Sequence, residues 1–159
     1  MQRMSRAFTS EEQNEAALAD IGERPVSQHR NLVTPEGLAA IEAELERLRA
    51  ALAKAEREAD RAAIALASRD LRYWAARRET AEVSVPEPGE TVVRFGMRVT
   101  VENEAGELRS WRIVGEDEAD AAHGSVSHVS PMARALFGRA AGETVTVAGR
   151  DWTIVDIEG

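Results

Sequence analysis

No cysteine occurs in the 159 residues. That excludes disulfides, thiol nucleophiles and thiolate-bound zinc, and it agrees with a reducing, cytoplasmic setting. Aromatic residues are scarce, at 4%, so a core must be built mainly from Leu, Ile, Val and Ala. Trp74, Trp111 and Trp152 are scattered along the chain and read as core filling rather than as a base-stacking platform. No apolar run approaches the roughly 18 residues that cross a bilayer, so no membrane association is expected. Arg3 and Arg6 near the start are not followed by the apolar stretch of a secretory signal. An excess of positive charge is missing too. The formal net charge is -8, and direct binding to a nucleic-acid backbone depends on clustered Lys and Arg. Any contact with nucleic acid is therefore expected to run through a protein partner. Signatures of catalysis are also absent: there is no Gly-X-Ser-X-Gly elbow, phosphate loop or dinucleotide fingerprint. His29, His123 and His128 lack metal-ligand spacing.

What is present divides into segments. Residues 1–32 show no sustained periodicity beyond a short Ala/Glu stretch at 11–18, and Pro25 with Ser27-Gln28-His29-Arg30-Asn31 reads as a flexible, exposed N-terminal arm. Residues 33–84 are helical. Thr34 suits an N-cap, Pro35 the first helical position, and Glu36 places negative charge in the first turn. Leu38, Ile41, Leu45, Leu48, Leu52 and Ala55 then recur at 3-4-3-4-3 spacing, a heptad seam. A second seam at the same spacing, Ile64, Ala67, Leu71, Trp74, Arg78 and Ala81, runs in a different phase. The phase change favours a chain that folds back near 58–61. An antiparallel hairpin then sets Leu48 against Leu71 and Leu45 against Trp74, with the Arg78 stem snorkelling outward. Asp60 is placed to cap the second helix, although no Gly or Pro marks the turn. A continuous helix that dimerises is the rival arrangement.

Residues 85–90 form a Pro-rich linker. Residues 91–159 change character: strands are expected at 92–95, 97–102, 108–114, 125–129, 144–147 and 152–157, with a hairpin turn at 103–106. One short helix at 131–137 is capped by Ser130 and closed by Gly138. The fold class is α+β, a helical hairpin followed by a β-rich domain.

Three stretches resemble one family. Leu32-Val33-Thr34-Pro35-Glu36-Gly37-Leu38 is similar to the hairpin opening of Gre transcription elongation factors (GreA/GreB), especially the GreB branch. Trp111-Arg112-Ile113-Val114-Gly115-Glu116-Asp117-Glu118-Ala119-Asp120 resembles their strand and acidic loop. Ser130-Pro131-Met132-Ala133-Arg134-Ala135-Leu136, with Gly138 and Gly142-Glu143, resembles their most recognisable motif. The resemblance implies a coiled-coil hairpin joined to an FKBP-like C-terminal domain. It also implies a monomeric accessory factor, not itself an enzyme, that docks bacterial RNA polymerase at the rim of the secondary channel. Glu118, Asp120, Ser130, Pro131 and Met132 become the expected docking residues. On the residues alone, Pro131 can simply start a helix whose Leu136 and Phe137 are core.

In cleavage-competent members an acidic Asp-X-X-Glu tip helps hold a second magnesium in the polymerase active site. Here the tip offers Glu56, Glu58 and Asp60 instead, and Tyr73 stands where Asp70-Leu71-Arg72 would call for Glu. Exposed acids at a turn are more often solvated than metal-bound. Arms of about 20 residues reach roughly 30 Å, less than the family's longer hairpins. No cofactor is expected beyond magnesium held by the polymerase. The expectation is a channel-binding regulator with little stimulation of transcript cleavage. A true cleavage factor is the alternative within this class. A peptidyl-prolyl isomerase or a coiled-coil interaction protein are the alternatives outside it.

Overall fold

The computed structural model describes residues 21–159; the expectation of a flexible arm over residues 1–20 lies outside them. Two compact units divide the chain. One takes residues up to Gln28 and Ala40–Thr80, the other His29–Ala39 and Ala81–Gly159.

In the first unit, α1 (Pro35–Arg57, entering from the second unit) is followed by α2 (Arg61–Thr80). The two form a hairpin. Arg78 near the end of α2 pairs with Glu42 near the start of α1, Nε to Oε1 at 3.1 Å. The expected α1 seam is the inward face: Ile41, Leu45, Leu48 and Ala55 are buried, and Leu38 and Leu52 half-buried. Each buried Leu or Ile contributes about 2 kcal/mol relative to exposure. The α2 seam begins in the expected phase, with Ala67 buried and Ile64, Leu71 and Trp74 half-buried. It then departs from it, because Arg77 rather than Arg78 is buried at its end. Three residues on from Trp74 the helix turns Arg77 inward, and Arg78, one position further round, is on the surface, where its guanidinium pairs with Glu42.

Residues 21–28 adopt no helix or strand yet lie against α2. The Arg24 guanidinium sits 3.9 Å from the centre of the Tyr73 ring and pairs with Asp70 at 3.4 Å. Glu23 pairs with Arg72.

The second unit opens with an element too short to read from sequence. β1 (Leu32–Val33) pairs in parallel with β2 (Glu82–Val83). Residues 82–83, expected at the end of the hairpin, are thus strand. The main sheet contains β3 (Arg98–Asn103), β4 (Leu108–Val114), β5 (Ser125–Ser127), β6 (Thr144–Val147) and β7 (Arg150–Glu158), in the order β5-β4-β3-β7-β6. All pairings are antiparallel except β4 with β5. Asn103 closes the β3–β4 turn as expected, its side-chain carbonyl accepting the Ala105 and Glu107 amides. The strand expected at 92–95 reduces to a single bridge, Val92 with Ala140. The chain must turn at Gly96, which has φ +87, so Val93 and Phe95 enter the core from a loop. α3 (Pro131–Leu136) buries Ala133 and Leu136 with Val99, Val101, Ile113 and Ile154. Trp152 is in that core and Trp111 packs on it, edge to face at 6.3 Å.

Candidate polymerase-docking face

β4 and β5 are parallel neighbours, with Val114 opposite Ser127. The segments that follow them therefore leave the sheet at the same end. After β4 comes the acidic loop, and after β5 comes the N-terminal turn of α3. The Gly115 turn and the approach to α3 thus start from one end of the strand pair, while Asp120 lies back beside Ser125 at the start of β5.

The loop begins with a tight turn in which the Glu118 amide donates to the Gly115 carbonyl at 3.1 Å. Asp120 then opens a short 3-10 turn over Ala121–His123, and Gly124 at φ +83 returns the chain to β5. The Asp120 carbonyl accepts the His123 and Ser125 amides, both at 3.0 Å. Its carboxylate meets His123 Nδ1 at 2.6 Å, and both side chains face solvent. On the other segment, Ser130 Oγ accepts the Ala133 amide at 3.2 Å and caps α3, with Pro131 at the first helical position. This is the cap expected from sequence. His128, just before it, is buried edge-on against Phe95.

The five expected docking residues therefore divide. Asp120 and Pro131 are exposed. The Ser130 hydroxyl is occupied by its cap, and Met132 is half-buried against the core. Glu118 faces inward: its Oε2 accepts the Thr34 amide and the Gly115 amide, each at 3.0 Å, and its Oε1 accepts the Thr34 hydroxyl. Thr34 is itself the N-cap of α1, its Oγ1 accepting the Gly37 amide at 3.0 Å. Sequence reasoning found Thr34 as a cap but missed its second partner, 84 positions away. The available signal was Gly37. Glycine inside a helix costs about 1 kcal/mol relative to alanine, and here a Cβ at Gly37 would fall on the Glu118 carboxylate.

Neighbouring charges are also ordered. Its own backbone amide, then the Thr34 hydroxyl and the Arg112 guanidinium, hold the Glu36 carboxyl below its ordinary range. Arg112 meets Glu36 at 3.4 Å and donates to the Gly96 carbonyl at 3.1 Å.

The tip acids belong to the other unit. Asp60 Oδ1 accepts the Ala63 amide at 3.1 Å and caps α2. Glu58 lies 3.9 Å from Lys54, and Glu56 is exposed. Among the described residues no group of three or more His, Cys, Asp or Glu side chains is arranged to hold a metal ion. None of the described helices is long and apolar enough to cross a membrane.

Comparison with known proteins is decisive for the family. Residues 87–159 match the family model described as transcription elongation factor, GreA/GreB, C-term. The chain is 36% identical over 136 residues to transcription elongation factor GreA of Ruegeria pomeroyi, covering 72% of this chain and 86% of that one. It belongs to the GreA/GreB family. Transcription elongation factor GreB of Pseudomonas aeruginosa is 35% identical over 150 residues, covering 80% of this chain and 89% of that protein. The GreA and GreB identities do not separate the two branches. GreA of Anaeromyxobacter sp. (strain K) is 45% identical over 78 residues, and there the match spans about half of each protein, 48% of this chain and 46% of the relative. Among solved structures, the GreA factor homolog 1 (Gfh1) of Thermus thermophilus aligns at 21% identity and a TM-score of 0.40, over 82% of this chain and all of that one. The GreA/GreB family model ends where this chain ends and begins in the linker, so it covers the whole main sheet and α3 but neither helix of the hairpin.

Proposed function

We propose that this chain is a cytoplasmic, monomeric accessory factor that binds bacterial RNA polymerase at its secondary channel and regulates elongation with little stimulation of transcript cleavage. In this reading the β-rich unit is the FKBP-like docking domain, presenting Asp120 and Pro131. The coiled-coil hairpin is the element that enters the channel. Nucleic acid is contacted only through the polymerase complex. The chain performs no chemistry of its own and carries no cofactor; any magnesium belongs to the polymerase active site.

The observation that carries this reading is the tip. Metal-assisted hydrolysis needs hard oxygen ligands delivered to the reacting centre. The helices have 23 and 20 residues, which at 1.5 Å per residue reach roughly 30–35 Å. The tip lacks the Asp-X-X-Glu spacing, and Asp60 is engaged in capping α2. A carboxylate short of the site gives almost nothing, since coordination is a contact interaction and longer-range help is screened beyond about 10 Å at ordinary salt. A hairpin that closes within one chain, as the Arg78–Glu42 pair does, supports the monomer.

The test is transcript cleavage in arrested complexes of the cognate polymerase. Binding is expected with near-background cleavage, together with competition against longer channel-binding factors. The control is Glu56→Ala with Glu58→Ala, which leaves the Asp60 cap intact. Strong stimulation that this control abolishes would establish the chain as a cleavage factor and overturn the reading.

A further inference from the structure

Resting on the docking reading above, we propose that Glu118 is a positioning residue: it holds the acidic loop in its binding shape by clamping it to Thr34, and does not itself touch the polymerase.

The geometry points inward on every side. The two carboxylate oxygens take three donors, from the Thr34 amide, the Thr34 hydroxyl and the Gly115 amide. Ionised carboxylates make the stronger, charge-assisted class of hydrogen bond, and a carboxylate engaged in this way has little left to offer a partner. Thr34 is fully buried and works in both directions, donating its hydroxyl to Glu118 while accepting the Gly37 amide. Two glycines leave the room this requires. A Cβ at Gly37 would land on the Glu118 carboxylate, and one at Gly115 would meet both that carboxylate and the Leu32 carbonyl. Gly115 has no positive φ, so its small size, not backbone freedom, is what the position uses.

The consequence is a fixed loop origin. Gly115 and Glu118 are already joined by the turn bond between the Glu118 amide and the Gly115 carbonyl. With Thr34 as the outside anchor, both ends of this turn are tied to the junction of β1 and α1. Asp120 follows two residues later. Binding is tighter when a loop already holds its bound shape, because less ordering is left to occur on association.

The clamp makes a prediction that a contact role does not: Thr34, buried and unable to reach a partner, should matter for affinity together with Glu118. The experiment is a double-mutant cycle in polymerase affinity with the full chain, using Thr34→Val, Glu118→Gln and both together. Each single change is expected to weaken binding about tenfold, with the double variant no weaker than either. Thr34→Ser, which keeps both the donor and the cap, should bind as the wild type does. If Thr34→Val binds normally while Glu118→Gln does not, or if the two losses add, Glu118 is a direct contact and the proposal fails. If neither variant loses affinity, the loop holds its shape without the clamp and the proposal fails equally. Amide exchange on the free chain provides a separate readout. Glu118→Gln should expose the Thr34 and Gly115 amides selectively, leaving the β3–β7 amides protected. Should the wild type not bind polymerase at all, the docking reading falls on its own, and unchanged exchange at those two amides would still overturn the clamp.

Discussion

Asp60 caps the helix that begins one residue after it, and does so immediately after Ala59 has taken the left-handed conformation, at φ 51. The Asp60 amide donates back to the Ala55 carbonyl at 3.0 Å and the Ala59 amide to the Glu56 carbonyl at 3.2 Å. That pair of bonds is the Schellman ending of a helix, normally completed by glycine. One residue thus closes α1 with its amide and opens α2 with its carboxylate, which is why so short a connection suffices.

Stability of the hairpin should respond to both residues in opposite senses. Ala59→Gly removes a left-handed alanine, which costs about 1–2 kcal/mol, and allowing for glycine's greater chain entropy should gain roughly 0.5–1 kcal/mol. Asp60→Ala should lose about 1 kcal/mol. Urea midpoints at constant m-value report both changes. A destabilised Ala59→Gly would mean that the left-handed turn is not the populated one.

Acid should loosen the β1–β2 junction. Hydrogen bonds from the Arg30 guanidinium, at 2.9 and 2.7 Å, hold the Glu82 carboxyl below its ordinary range. A carboxyl depressed in the folded state binds fewer protons there than in the unfolded chain. Its contribution is therefore present above the unfolded value, about 4.3, and is lost as pH falls through the lower folded value. Denaturation profiles taken from neutral pH down to about 3 should show stability falling at the acid end, less steeply in Glu82→Gln. Added salt should shrink the difference, since the pair is exposed. Parallel profiles for wild type and variant would remove the pair from any account of the acid response.

Docking should depend on the residues that face outward. Asp120→Asn combined with Pro131→Ala is expected to weaken polymerase binding by about tenfold with an unchanged circular dichroism spectrum. Met132→Ala should instead lower stability by about 1–3 kcal/mol, because its side chain packs on the core. Normal affinity in the double variant would place the polymerase contact elsewhere on the surface.

Much of this was legible in the chain because it is local. The α1 seam from Ile41 to Ala55, the Ser130-Pro131 start of α3, the Asn103 turn, and the strands Leu108–Val114 and Thr144–Val147 each follow from periodicity and capping within a few residues. The Asp60 cap was readable for the same reason, although the left-handed Ala59 was not, since alanine carries no turn signal. What tertiary structure alone decided is long-range. β1 and β2 are two residues each and exist only because the chain brings 32–33 beside 82–83. The Gly115 turn and the approach to α3 leave the sheet at one end because β4 and β5 are parallel. Glu118 reads in sequence as one more exposed acid in an acidic loop. Only the fold sets it against Thr34, 84 residues away, where three donors hold its carboxylate. Spacing along a helix or strand records which face a side chain takes; it holds no record of which distant segment will lie across from it.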